Sequence, residues 1–297
     1  MSRVPWQIKI LAKILLRRLP VGYSFWKKIG IFRHGYMESV EYSYSIFKTH
    51  FENVKPPKNF VSLELGPGDS VLSAIMNKAF GGSRCYLVDS GYFANFQLSV
   101  YQKAETFLQA SDLKFQSDRL TKLKDSASSP EQILELYDCQ YLTDGLDSLH
   151  SIPDKSVDLV WSQAVLEHVR QRDFVATMKE LRRIIRENGK CSHTIDLKDH
   201  LGGSLNNLRF SGRVWESEFM ASSGFYTNRI RYSEMIRLFE ATGFAVEVTD
   251  IQRWDSLPIP RAKLAQEFQH LSDDELCVQE FTVILTPQAQ RTFPISV

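Results

Sequence analysis

The chain passes from a short apolar run into a helical pattern through Glu64-Leu65-Gly66-Pro67-Gly68-Asp69-Ser70. That turn constrains the fold more than any other segment. Phe60-Val61-Ser62-Leu63 leads into it and Val71-Leu72-Ser73-Ala74-Ile75-Met76 leads out. Strand, glycine turn and helix in that order form a nucleotide-holding element. The glycines let the backbone reverse sharply and approach a ligand, and the helix N-terminus offers N–H groups to an anion. A second apolar strand, Cys85-Tyr86-Leu87-Val88, ends in Asp89, 21 residues beyond Gly68. A carboxylate at that tip is placed to accept hydrogen bonds from both hydroxyls of a ribose. A dinucleotide fingerprint would want a third glycine at position 71, where this chain has Val71.

The turn resembles motif I of the class I S-adenosylmethionine (SAM) dependent methyltransferases. Glu64 stands two residues before the first glycine, Pro67 lies within the turn, and Ser70 replaces the family's usual third glycine. Ile152–Val169, IPDKSVDLVWSQAVLEHV, resembles the superfamily's fourth strand and following helix. Leu181–Lys190, LRRIIRENGK, resembles the helix and turn before its fifth strand. The resemblance covers residues 58–290 and implies an α/β fold, a Rossmann-like, doubly wound, mostly parallel seven-stranded sheet with SAM as cofactor. It implies cofactor-binding roles for Glu64, Gly66, Pro67, Gly68, Asp69, Asp89 and Ser90. It also implies an adenine contact at Asp144-Gly145 and places Ser162-Gln163 at the methionine end. Asp69 and Ser70 could instead cap the following helix, and cap and cofactor loop can coincide.

A length of 297 residues and an apolar fraction of 43% support a full core. The net charge of +1 makes no case for nucleic acid. Cys85, Cys139, Cys191 and Cys277 form no CxxC pair, so buried free thiols in a reducing, cytoplasmic compartment are expected. The N-terminus is interrupted by Lys9, Lys13, Arg17 and Arg18 and reads neither as a membrane span nor as a signal peptide.

Residues 1–57 are expected to form a basic helical cap ahead of the SAM-binding domain at 58–290. Arg3, Lys9, Lys13, Arg17, Arg18, Lys27, Lys28 and Arg33 all precede the first acidic residue, Glu38, while Ile8, Leu11, Leu15 and Leu19 recur at helical spacing. That pattern suits peripheral contact with an anionic membrane surface. A cap helix packed on the core with its lysines in water is the alternative, favoured by Ile10, Ile14 and Leu16, which broaden the stripe. The core then alternates, with strands at 60–65, 84–89, 140–143, 157–161, 190–196, 244–249 and 277–285. Helices are expected at 69–80, 92–109 and 232–241, and insertions at 110–137 and 198–230. The latter is rich in glycine and aromatics and follows the fifth strand, where long segments cover sites.

Alternating strands and helices put ligands at the carboxyl ends of the strands. Asp196, Asp199 and His200 fall there beside the residues above. Removing a proton from a hydroxyl acceptor calls for a base, and Asp199, His200 and His168 are the candidates. His168 could equally pack within its helix, and Asp199 and His200 could hold the cover segment by loop hydrogen bonds. If His200 is the base, the rate should follow an ionisation near 6.5. Asp196, Asp199 and His200 offer ligands for Mg²⁺, but their spacing does not require it and no metal is expected. Asp158, at the start of the fourth strand, reads as structural.

The expected acceptor is an oxygen of a small molecule or glycan. Ile195–Leu201 resembles the corresponding segment of polysaccharide-cluster methyltransferases. Carboxylate or nitrogen methylation of a peptide or metabolite, and a catalytically silent SAM-binding partner subunit, are the other readings. Oligomeric state is not legible in these residues.

Overall fold

The computed structural model describes residues 5–17, 36–95, 97–111 and 129–288. Seven strands form one sheet: β1 Val61–Leu65, β2 Arg84–Val88, β3 Cys139–Leu142, β4 Val157–Gln163, β5 Ile185–Asp196, β6 Phe244–Arg253 and β7 Val278–Pro287. Their order is β3-β2-β1-β4-β5-β7-β6. The pairs β1–β2, β2–β3, β1–β4 and β4–β5 are parallel, whereas β7 runs antiparallel to both β5 and β6. The chain reverses its direction of winding between β1 and β4, and ligands of such sheets collect beyond the strand ends at that point. The expected doubly wound, mostly parallel seven-stranded sheet is present.

Helices cover both faces. On one lie α2 Val40–Val54, α3 Leu72–Ala79, α4 Leu98–Ala110 and α5 Pro130–Leu136, sharing a core with Leu87, Leu159 and Trp161. On the other lie α6 Leu146–His150, α7 Gln171–Ile184 and α10 Tyr232–Ala241, packed against Leu63, Val160, Cys191 and Phe281. The short helices α8 Gly212–Trp215 and α9 Glu218–Ala221 lie in the segment after β5. All four cysteines are buried and free.

Residues before 58 do two different things. α2 buries Val40, Ser43, Phe47, His50 and Val54, a three-to-four-residue spacing that puts one stripe on the sheet. Its Ser39 N-cap accepts from Tyr42 N–H, and it stops at Lys55, before Pro56-Pro57. It is a layer of the main core rather than a separate cap. α1 Trp6–Arg17 packs elsewhere, with Trp6, Ile10 and Ile14 against Leu201, Trp215 and Phe225 of the segment after β5. The stripe singled out from sequence points the other way: Ile8, Leu11 and Leu15 are 54%, 61% and 65% exposed. Leu19, Lys27, Lys28, Arg33 and residues 112–128 of the expected insertion lie outside the described residues.

Phe47 is 1% exposed and meets Phe80 and Trp161 with ring centroids 5.1 and 5.7 Å apart. Phe47→Ala should therefore cost roughly 3–5 kcal/mol of unfolding free energy, as for other large-to-small core changes. Denaturant melts would show this; a loss within error would mean that α2 is not part of the main core.

Candidate functional site

Backbone pairing continues one residue past the parallel strands and brings their loops into line. Gly66 N–H donates to Val88 O at 2.8 Å, Asp89 N–H to Leu142 O at 2.9 Å, Gly145 N–H to Asp89 O at 2.8 Å, and Ala164 N–H to Thr194 O at 2.8 Å. Gly66 and Gly68 both take left-handed backbone, with φ of 67° and 66°. At Gly66 the neighbourhood is as demanding as the torsion: a Cβ there would lie 2.5 Å from Val165 Cγ2. The turn after β1 and the turn after β4 thus touch through a missing side chain.

Asp89 accepts from Gly68 N–H at 3.1 Å and from Ser90 N–H at 2.7 Å. Burial, opposed by those two bonds, pushes its carboxyl up to about 6. A carboxylate accepts about four hydrogen bonds, so two positions remain for a ribose. Asp69, 2% exposed, adds its charge to the same corner, and its carbonyl accepts from Asn95 N–H. Beneath the turn, Glu64 is 2% exposed and its Oε2 has no hydrogen-bond partner. Desolvation, eased by Ser73, holds its carboxyl well above the usual range. Ser90 and Gly145 face one another, with Ser90 Cα 3.8 Å from where a Gly145 Cβ would stand. Asp144 N–H donates to Ser148 Oγ at 2.9 Å. Gly66, Pro67, Gly68, Asp69, Asp89, Ser90, Asp144 and Gly145 therefore lie along one edge.

Four sequence expectations need correction. Ser70 is not the N-cap of α3, which is Val71; its hydroxyl donates to Met37 O and is only distantly reached by Leu72 N–H, at 3.5 Å. Ser162 is fully buried with its Oγ 2.7 Å from His193 Nδ1, so that hydroxyl is committed inside the sheet layer and not at a methionine end. Gln163 turns its Oε1 to His50 Nε2 at 3.3 Å. Asp199 is no proton acceptor. Its carboxylate accepts from Leu201 N–H, Gly202 N–H, Asn206 N–H and Asn206 Nδ2, at 2.6 to 3.0 Å, and so ties the segment after β5 into a turn.

The histidines divide by environment. His193, 0% exposed, is driven down to about 3 by burial and by His50. His50, in α2, is held near 4 by burial while its Nδ1 lies 2.8 Å from Ser192 Oγ. Both are neutral core groups. His168 and His200 lie instead at the ends of β4 and β5, rings edge to face with centroids 4.7 Å apart. Burial and Lys13 hold His200 down at about 4, below the 6.5 expected from sequence. Asp196 is paired with Lys198 Nζ at 3.1 Å. Asp158 behaves as expected, binding Val61 N–H and Arg186 at the amino end of β4.

Sequence reasoning missed Asn228 and His50. Asn228 Nδ2 donates to Leu166 O and Val169 O at 2.8 and 2.9 Å, and its N–H to Glu167 O at 2.6 Å, stapling the turn after β4. Nothing in its neighbourhood signals this. His50 was detectable, since it shares the stripe of Val40, Phe47 and Val54. A surface cleft of about 310 Å³ between Arg170, Arg172 and Glu216 opens beside the same turn, away from the glycines, and its arginines are paired with Glu218.

A family model described as a methyltransferase domain matches residues 104–192, from α4 into β5. Comparison with curated protein sequences finds no significant match. Among solved structures, the chain is similar to the YcgJ protein from Bacillus subtilis, at 15% identity over 82% of this chain and 98% of that one, TM-score 0.46. It is similar to an arsenic(III) SAM methyltransferase from Chlamydomonas reinhardtii at 15% identity, over 84% and 73% of the two chains, TM-score 0.45. It is also similar to a phosphoethanolamine N-methyltransferase from Haemonchus contortus at 14% identity, over 87% and 54%, TM-score 0.45. Likeness this low carries no argument about acceptor or chemistry. Residues 104–192 thus match a methyltransferase-domain model, and the strand order and glycine turn resemble those of class I SAM-dependent methyltransferases.

Ribose hydroxyls donate more strongly, and to more acceptor positions, when Asp89 is ionised. S-adenosylhomocysteine affinity should be full above pH 6 and decline as pH falls through about 6, where the empty protein protonates this group. Calorimetry in buffers of different ionisation enthalpy should show proton release on binding in that window. Asp89→Asn should remove the pH dependence and weaken binding by roughly 1.5–3 kcal/mol, the range for hydrogen bonds to charged groups. Binding that is flat across pH 6 in the wild type would remove Asp89 from the ribose.

Proposed function

We propose that this protein binds SAM along the edge formed by Gly66, Gly68, Asp89 and Gly145 and methylates an oxygen of a small molecule or glycan. The observation that carries the reading is Asp89, half-saturated by Gly68 and Ser90 and standing between three loops at the reversal of the sheet. Glu64 Oε2, buried and without a partner directly beneath, fits a polar ligand above the turn. When bound, SAM supplies a sulfonium-activated methyl group that an acceptor oxygen takes by in-line displacement, the C–S electron pair returning to sulfur.

The chain's own residues then have two tasks. Positioning supplies much of the rate in such a displacement, and the contact of Val165 with Gly66 fixes the turn after β4 against the cofactor edge. The second task falls to His200, kept neutral by burial and by Lys13, with the His168 ring edge to face beside it at the ends of the next two strands. A hydroxyl suits such a base better than a carboxylate, which is already ionised at neutral pH and needs no proton taken.

Labelled SAM incubated with panels of glycosides, phenols, carboxylic acids and amines should give base-stable methyl ethers. His200→Ala should slow transfer by roughly 10²–10⁴-fold with S-adenosylhomocysteine affinity kept. At saturating SAM the acid limb of kcat should lie near pH 4 rather than 6.5. Base-labile esters or N-methyl products would move the reading to the other acceptor classes, and cofactor binding without any transfer would favour a silent partner.

A second reading concerns location. Ile8, Leu11 and Leu15 form an exposed aliphatic stripe on a helix whose opposite stripe is docked, and the flanking sequence is basic. This favours peripheral contact with an anionic membrane. No helix among the described residues is long and apolar enough to cross one. The protein should sediment with anionic vesicles at low salt, detach as salt rises, and lose this behaviour in Leu11→Glu. Wild-type protein that ignores such vesicles would end the proposal.

A further inference from the structure

Glu167, His168 and His200 each bring one ligand atom to within 4.8 Å of the other two. The carboxylate is the buried member: Glu167 is 1% exposed and neither oxygen has a hydrogen-bond partner. Burial, opposed by the backbone N–H groups of Glu167 and Asp196, holds its carboxyl well above the usual range, so the ionised form is costly there without a cation. The backbone around it is fixed on three sides. Asn228 holds the carbonyls of Leu166, Glu167 and Val169. The four bonds to the Asp199 carboxylate shape the turn that carries His200, and Lys13 Nζ donates to the His200 carbonyl at 3.3 Å.

The tautomer of His168 follows from its neighbour. Nδ1 lies 2.8 Å from the Tyr226 carbonyl, which can only accept, so Nδ1 carries the proton. In the neutral ring Nε2 is then the nitrogen without the proton, the tautomer in which a backbone carbonyl orients a metal-binding imidazole. Donors held at about 2.0–2.2 Å from one ion lie roughly 3–4 Å apart, which modest side-chain rotation reaches from here.

We propose that Glu167, His168 and His200 form a binding site for a divalent transition-metal ion of the zinc and iron(II) class. Two imidazoles and one carboxylate suit such ions, whereas Mg²⁺ and Ca²⁺ prefer all-oxygen sets. The Asp196–Asp199–His200 grouping considered from sequence is ruled out, because Asp199 is spent on its own turn and Asp196 on Lys198. Three protein ligands leave a coordination position open, and an ion there lowers the proton affinity of a bound hydroxyl. That role rests on the proposed methyl transfer. With the ion bound the imidazole lone pairs go to it, so the ion takes over from the histidines the task of easing the hydroxyl's proton loss. The site itself does not depend on that reading.

Full-length protein stripped with a chelator should take up a single equivalent of Co²⁺, with visible d–d bands that Zn²⁺ abolishes. Glu167→Gln, which keeps the side-chain shape, and His200→Ala should each weaken Co²⁺ binding at least tenfold, with circular dichroism and S-adenosylhomocysteine affinity unchanged. Absence of stoichiometric bands, or bands that survive in both variants, overturns the site. Calorimetry with S-adenosylhomocysteine separates the two proposals: cobalt bands without nucleoside binding sink the methyltransferase reading and leave the site, and the converse sinks the site alone.

Discussion

The closeness of Val165 to Gly66 sets the geometry on which everything at this edge depends. With no room for a Cβ between them, the loop leaving β4 is pressed against the loop leaving β1. That contact brings Val165, in the turn that goes on to Glu167 and His168, against the glycine turn. The neighbours follow from pairing that continues past the strands, so Asp89 and Gly145 are located by backbone hydrogen bonds and not by flexible side chains. A rigid rim of this kind suits a reaction in which alignment supplies most of the rate.

The elements that were legible in the sequence are those whose signal is local. The glycine turn, Asp89 and the strand at 157–163 rest on apolar runs and special backbone positions that a reader of residues can see. Face assignment was harder. In α1 the Ile8–Leu11–Leu15 stripe and the Trp6–Ile10–Ile14 stripe are both apolar, and only the position of Leu201, Trp215 and Phe225 decides which is buried. The fate of carboxylates was harder still. Asp199 looks like a base in a polar run, yet four donors converge on it because the chain folds into a turn around it. Such donors come from backbone placement, which residue identity does not encode. Ser162 misled for a related reason: strand alternation aims it at His193 across the β4–β5 pair instead of at the ligand edge.

Burial sorts the histidines more effectively than chain position does. His50 and His193 are held neutral within the helix–sheet layers, where each has a hydroxyl neighbour and neither has a carboxylate. Such groups specify packing because each must find its partner in the low-dielectric interior. His168 and His200 are held by backbone contacts at the rim and turn their rings toward each other.

The antiparallel strand β7 has a consequence for the order of assembly. It lies between β5 and β6, both of which leave the ribosome before it. Until residues 278–287 emerge, β5 and β6 have no partner between them, and each presents a row of unsatisfied backbone groups toward the gap. Unpaired edges of this kind recruit other chains. The gap also borders the strand that delivers His200, so the histidine end of the site stays unformed until the last strand of the sheet is inserted. The glycine turn and Asp89 therefore leave the ribosome well before the strand that completes the sheet.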